Sequence, residues 1–193
     1  MYRGERLLTI ATKYENEEMV KMLLGMRRIG PDYKDLEGAT PLWLAAKGRC
    51  FEIASHFLET KRVDPNYVHE DCTPLITAVK ENDERIVRFL LRSARLDVNW
   101  KDLAGDIVLH IAIRCVSPCL PDPTIVKLLL ERADTRWNLP NRSGVIPFDL
   151  VMRLFQGSDS DTYLAALAVF FQKDATAPPD NVRGLFCRFC SVL

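Results

Sequence analysis

The sequence carries no surplus of charge: its 193 residues hold 26 Lys plus Arg against 26 Asp plus Glu. A balanced chain sets up no broad basic field, so nucleic acid is not an expected partner and any contact must be made through local patches. No stretch approaches the roughly 20 apolar residues of a membrane-spanning helix, and the opening MYRGERLL lacks the apolar run of a secretory leader. Catalytic signatures are missing too. There is no G-x-S-x-G, no H-E-x-x-H, no phosphate-binding glycine loop and no paired-carboxylate motif, so a non-catalytic chain is expected. Metal ligands are also too few. Cys187-x-x-Cys190 stands without a second pair, and His110 with Cys115 and Cys119 offers three donors only, so neither metal nor cofactor is expected. These absences point to a cytoplasmic chain, with nuclear or membrane association left open, in which six cysteines read as thiols.

What the chain has is repetition. Apolar residues make up 48% and charged residues 27%, enough to bury a core. Gly38-Ala39-Thr40-Pro41-Leu42 is echoed by Asp71-Cys72-Thr73-Pro74-Leu75, and 73 minus 40 is 33. Ala45, Ala54, Phe57 and Leu58 fall on Ala78, Val87, Leu90 and Leu91 at the same displacement. A third copy ends in Leu109-His110-Ile111-Ala112, with Ile107-Val108 in place of Thr-Pro, and its second half resumes late at Ile125 to Leu130, after an insertion near Cys115 to Cys119. Upstream, Leu7 to Ala11 and Met19 to Leu24 match at an offset of 34, and downstream Gly144 to Phe148 opens another copy.

This 33-residue pattern, with its Thr-Pro-Leu openings and L-H-x-A, resembles the ankyrin-repeat family over residues 1–172. The resemblance implies an all-α solenoid of about five helix-turn-helix units with projecting hairpin loops: about 1–34, 35–67, 68–101, 102–140 and 141–172, followed by a linker and apolar tail at 173–193. Local chemistry agrees with that plan. Asp35-Leu36-Glu37-Gly38 suits a tight turn, Thr40 can cap a helix, and Pro41 fits its first turn. Small Ala45, Ala78 and Ala112 recur where inner helices must approach closely. The acidic runs Glu15 to Glu18 and Glu81 to Glu84 belong at helix starts, favoured by the helix dipole.

Both ends depart from the family. The first unit has no hairpin to shield its outward face, so either the chain is truncated or its cap is atypical. The last helix, Tyr163 to Phe171, is apolar nearly all round where a terminal unit normally presents a polar side, so the tail with Leu185, Phe186 and Phe189 is expected to fold back on it or meet a partner. The final Cys190-Ser191-Val192-Leu193 fits a prenylation box, and Cys187 could take a second lipid. Against this, Ser191 is not aliphatic and Arg183 and Arg188 are the only nearby positive charge.

The resemblance also implies where a partner protein would bind: the concave surface of hairpin tips and inner helices. The matching positions are Lys34, Leu36 and Glu37; His69 and Glu70; Lys101, Leu103 and Ala104; Arg142 and Ser143; with Lys47 and Lys80 on the inner helices. Tyr33, Tyr67, Trp100 and Trp137 lie near successive hairpins, as binding anchors or as packing against neighbouring loops. His110 occupies the family's framework histidine position, where the ring bonds backbone. The expected function is a monomeric protein-interaction module or adaptor. The alternatives are a regulatory fragment of a larger ankyrin-repeat protein and an adaptor tethered to a membrane through Cys190.

Overall fold

The computed structural model describes residues 3–115 and 123–156. In chain order it contains α1 (Arg3–Lys13), α2 (Glu17–Gly25), α3 (Pro41–Lys47), α4 (Phe51–Glu59), α5 (Pro74–Lys80), α6 (Glu84–Leu90), α7 (Val108–Cys115), α8 (Thr124–Glu131) and α9 (Pro147–Gln156). Among the described residues the only strand-like pairing is a single bridge between His69 and Cys72. Of the expected insertion near Cys115 to Cys119 all but Cys115 lies outside the described residues, as do the expected apolar helix at 163–171 and the tail with Cys187 and Cys190.

The inner helices α3 and α5 start where their caps dictate. Thr40 and Thr73 are extended, and their hydroxyl oxygens accept the N–H groups of Trp43 and Ile76 at 3.4 and 3.3 Å, with Pro41 and Pro74 filling a first position that has no N–H to satisfy. The outer helices α2 and α6 are capped by Asn16 and Asp83, which accept from Met19 and Ile86 at 2.9 and 3.0 Å.

The turn between the two helices of a unit is also repeated. Asn16, Cys50 and Asp83 donate their N–H back to the carbonyls of Ala11, Ala45 and Ala78, at 2.8, 2.9 and 3.0 Å. The preceding residue is left-handed each time: Glu15, Arg49 and Asn82, at φ 55°, 57° and 52°. This is the backward bond of a Schellman stop made without glycine at the left-handed position. Gly48 sits one residue too early for that role and is right-handed, at φ −80°.

Inner helices α1, α3, α5, α7 and α9 pack on one another in order, and α2, α4, α6 and α8 do the same on the outer side. Leu8, Leu42, Leu75 and Leu109 fill equivalent positions and are all buried, as are Leu23, Phe57, Leu90 and Leu129 from the outer helices. Between them Ala45, Ala78 and Ala112 allow close approach. The core is therefore one continuous seam in which each unit buries its apolar face on its neighbours, the packing logic of a solenoid.

Candidate interaction surface

In three of the hairpins a side chain closes the turn. At the first, Asp35 Oδ1 accepts the N–H groups of Glu37 and Ala39 at 3.0 and 2.9 Å, and Gly38 takes the left-handed position at φ 89°. Asp102 with Gly105, and Asn141 with Gly144, repeat the arrangement. The second hairpin differs, since residue 68 is Val and no such acceptor exists. There a two-residue turn carries Glu70 and Asp71 at φ 49° and 55°, between paired His69 and Cys72. Asp71 then accepts the Leu103 N–H of the next tip at 2.9 Å, and Arg142 donates its N–H to the Ala104 carbonyl at 3.0 Å, so successive tips are joined.

On this scaffold the sequence-predicted residues separate into two groups. Leu36 and Leu103 are 85% and 70% exposed, and Tyr33, Lys34, Glu37, Lys47, Glu70, Lys101 and Arg142 also face solvent. Tyr67, Trp100 and Trp137 are half-buried, with both tryptophans packed against the core. As anchors these three are reduced to their edges, and Tyr67 donates its hydroxyl to the Gly38 carbonyl at 3.0 Å.

A polar and aromatic group forms between the first two tips and α3. The ring of buried Trp43 meets that of His69 edge-on at 4.5 Å, and Lys47 lies over Trp43 at 4.8 Å and 3.6 Å from Glu70. Lys34 sits over the Tyr67 ring at 4.4 Å. Lys80 meets the Cys72 thiol at 3.1 Å, a contact that raises the lysine pKa, partly offset by burial. Lys101 donates to the Pro140 carbonyl at 2.9 Å. Trp43 was not among the sequence-predicted residues, because at that position the repeat pattern asks only for a helix residue.

Charge is local along this surface. Lys13 pairs with Asp35 at 2.8 Å, and that contact raises the lysine pKa. Burial pushes the Asp35 carboxyl up, but Lys13 and the N–H groups of Ala39 and Glu37 outweigh it, leaving it below the usual carboxylate value. Burial likewise works against Asp106, which Arg114 and Asn141 hold low. The Cys50 thiol is pushed up to about 11, mainly by burial, and burial raises Cys115 as well, so neither thiol is activated for nucleophilic chemistry. Among the described residues no group of three metal-ligating side chains occurs, and no helix is long and apolar enough to cross a membrane.

Asn66 and Asn99, which the repeat register places in equivalent loops between units, and arginines that the register did not single out, tie the units together. Asn66 accepts the Asp97 N–H and donates to the Arg95 carbonyl, both at 2.7 Å, and Asn99 does the same with Arg136 and Asp134 at 2.8 and 2.7 Å. Arg62, Arg95 and Arg132 reach back to carbonyls of the preceding unit: Ile29, Val63 and Leu91. For the arginines the signal was available, since Arg62 and Arg95, like Asn66 and Asn99, are 33 residues apart.

Comparison with known proteins agrees with this geometry. A model of three ankyrin repeat copies matches residues 57–141, and a single ankyrin repeat model matches residues 37–70. The ankyrin repeat and KH domain-containing protein mask-1 of Caenorhabditis elegans is 32% identical over 97 residues, half of this chain and 4% of its own length. A protein of Plasmodium falciparum, provisionally named an E3 ubiquitin-protein ligase, is 33% identical over 122 residues, 59% of this chain and 1% of its own length. The chain thus spans only a few per cent of these relatives. Ankyrin repeats generally mediate contacts between proteins and are typically non-catalytic. With its 33-residue period, its stacked helix pairs and family matches spanning residues 37–141, this chain belongs to the ankyrin-repeat family.

Proposed function

We propose that the chain is a non-catalytic adaptor whose protein partner docks along the hairpin tips and the adjoining inner-helix face. One observation carries this reading: Leu36 and Leu103, two large apolar side chains at 85% and 70% exposure, are held on tips whose backbones are fixed by Asp35 and Asp102. A leucine presented to water on a rigid turn contributes nothing to the core, whereas covering it on binding releases apolar hydration without ordering a loop. Flanking Lys34, Glu37, Glu70 and Lys101 supply charges of both signs around these two contacts, matching a partner with mixed polar groups rather than a polyanion.

The test is capture of cellular proteins by the full chain and by Leu36→Asp with Leu103→Asp, each cross-linked and identified by mass spectrometry. The variant melts as the wild type does and loses the partner cross-linked at the tips. Retention of every captured protein by a folded variant would overturn the reading. A second reading, a regulatory part of a larger ankyrin-repeat protein, draws support from the great length of the relatives. The mass of the endogenous polypeptide on an immunoblot separates the two.

A further inference from the structure

Lys80 reaches back along α5, so that its Nζ lies 3.1 Å from the Sγ of Cys72, the residue just before the Thr73 cap. The repeat register shows that the fold brings these two positions together. In the next unit both fall 34 residues on, at Asp106 and Arg114, and there they form an ion pair. One unit earlier they are Ala39 and Lys47. With no partner at Ala39, Lys47 turns to Glu70 at 3.6 Å and to the Trp43 ring at 4.8 Å. Cys72 therefore holds the acidic seat of a recurring contact, with sulfur where the next unit has a carboxylate.

Sulfur in that seat adds chemistry that a carboxylate lacks. The thiolate is the form that a peroxide oxidises, and the sulfenic acid so formed condenses with a neighbouring nitrogen. Cys50 and Cys115 are set against such chemistry: burial, helped at Cys50 by Glu15, Glu52 and Asp83, pushes the first up to about 11, and burial raises the second. Cys72 instead has an ammonium within hydrogen-bond distance. It is 7% exposed beneath the exposed, flexible Lys80 side chain, so a molecule as small as a peroxide reaches it when that chain swings aside.

We propose that Cys72 and Lys80 form a redox-controlled cross-linking site, in which hydrogen peroxide oxidises the sulfur and the lysine amine then closes a sulfur–nitrogen bond. In the first step the Cys72 thiolate takes one hydroxyl of the peroxide as the O–O bond breaks. The other hydroxyl leaves with the electron pair and takes a proton from the Lys80 ammonium, giving water, a sulfenic acid and a neutral amine. Sulfur loses two electrons and the peroxide gains them. In the second step the amine attacks sulfur, the S–O bond breaks, and the hydroxyl leaves as water with a proton from the nitrogen. Contact with Cys72 is the main cause that raises the Lys80 pKa, so oxidising the sulfur also removes what holds the proton on the amine. The bridge ties the flank of the α5 cap to its last turn and takes one positive charge from the inner-helix face.

The full chain is treated with hydrogen peroxide, quenched with catalase, blocked with maleimide, unfolded and digested with trypsin. Residues 63–80 hold Cys72 as their only cysteine and end at Lys80, so a bridged lysine blocks cleavage there. The expected product is residues 63–85 in one piece and two hydrogens lighter than its reduced form, and dithiothreitol before digestion restores cleavage after Lys80. Lys80→Arg keeps the charge but offers a poor nucleophile, so its Cys72 stays a sulfenic acid that dimedone traps. Peroxide-treated wild type that is still cleaved after Lys80, with Cys72 a thiol or a sulfinic acid, overturns the proposal. So does a bridge formed in equal yield by chain oxidised in urea, where the fold no longer holds the two residues together.

Discussion

His110 Nε2 donates to the Val145 carbonyl, 35 residues along the chain, at 2.9 Å, while Nδ1 of the same ring accepts the Ile107 N–H at 3.3 Å. The imidazole therefore does two tasks. It satisfies the N–H at the start of α7, where Ile107 stands in place of a capping threonine, and it fastens the fourth unit to the loop that begins α9. Both bonds require the neutral ring with its proton on Nε2. The ring is fully buried, and burial holds its pKa below 6.5, outweighing the Val145 carbonyl and Asp106, which act the other way.

The first prediction concerns pH. For a histidine with a lowered folded pKa, the unfolded chain binds more protons between the two values, so stability is complete above pH 6.5 and falls as pH drops below it. Asp35 and Asp106, whose folded values lie below 3.8, contribute stability that is lost only at more acid pH. Urea melts at a series of pH values should show a decline that sets in as pH falls below 6.5 and is absent in His110→Gln above pH 4.5; below that value the lowered carboxyls of Glu17 and Glu52 begin to contribute in both proteins. His110→Ala strands the Ile107 N–H and the Val145 carbonyl in the core, for a loss of about 2–4 kcal/mol at neutral pH.

Glycines of the hairpins should differ in tolerance although their backbones match. Gly105 and Gly144 have φ 77° and 73°, but a Cβ on Gly105 would lie 2.7 Å from the Arg142 backbone nitrogen, whereas one on Gly144 meets nothing within 4 Å. Gly144→Ala therefore costs only the left-handed strain, about 1 kcal/mol. Gly105→Ala must also push apart the tips joined by the bond from Arg142 to Ala104, and its loss should be at least twice as large. Equal effects in denaturant melts would refute this account.

The inter-helix turns hold stability in reserve. Arg49 adopts φ 57° without glycine's freedom, and its guanidinium reaches only to 4.0 Å from Asp83. Arg49→Gly should raise stability by about 0.5–1 kcal/mol, because relief of left-handed strain exceeds the added entropy of the unfolded chain. Gly48→Ala tests the complementary point: at φ −80° it gains no strain relief, and the new Cβ would meet the Cys50 sulfur at 3.2 Å.

The legible part of this protein was whatever repeats in residue type. Thr40-Pro41 and Thr73-Pro74 announce their helices because cap and first turn demand those residues, and Gly38 marks a left-handed turn. Illegible parts were those where geometry repeats and residue type does not. Glu15, Arg49 and Asn82 share one backbone conformation but no side-chain property, so no pattern reveals them. The four aromatics near the hairpins look alike in sequence, yet Tyr33 faces solvent while Tyr67, Trp100 and Trp137 are half-buried. Whether a ring near a tip faces out depends on the neighbouring unit, which is a relation across 33 residues.

That same dependence on neighbours makes Asn66 and Asn99 useful probes of cooperativity. Each joins one unit to the next through two hydrogen bonds, and the stability of a stack is approximately a sum of unit terms and interface terms. Both pairs are solvent-exposed, so water replaces the lost partners and either Asn→Ala change should cost about 1–2 kcal/mol. Their positions give them different consequences. Asn99→Ala weakens the link to the part of the stack holding α8 and α9, so amide exchange should quicken there while α3 to α6 keep their protection. Asn66→Ala cuts nearer the middle and should lower protection on both sides. The two act at separate interfaces, so the double variant should lose the sum of the single effects, within about 0.5 kcal/mol. A single cooperative loss spread evenly over all helices in Asn99→Ala would show instead that the stack unfolds as one body and that these asparagines are not local ties.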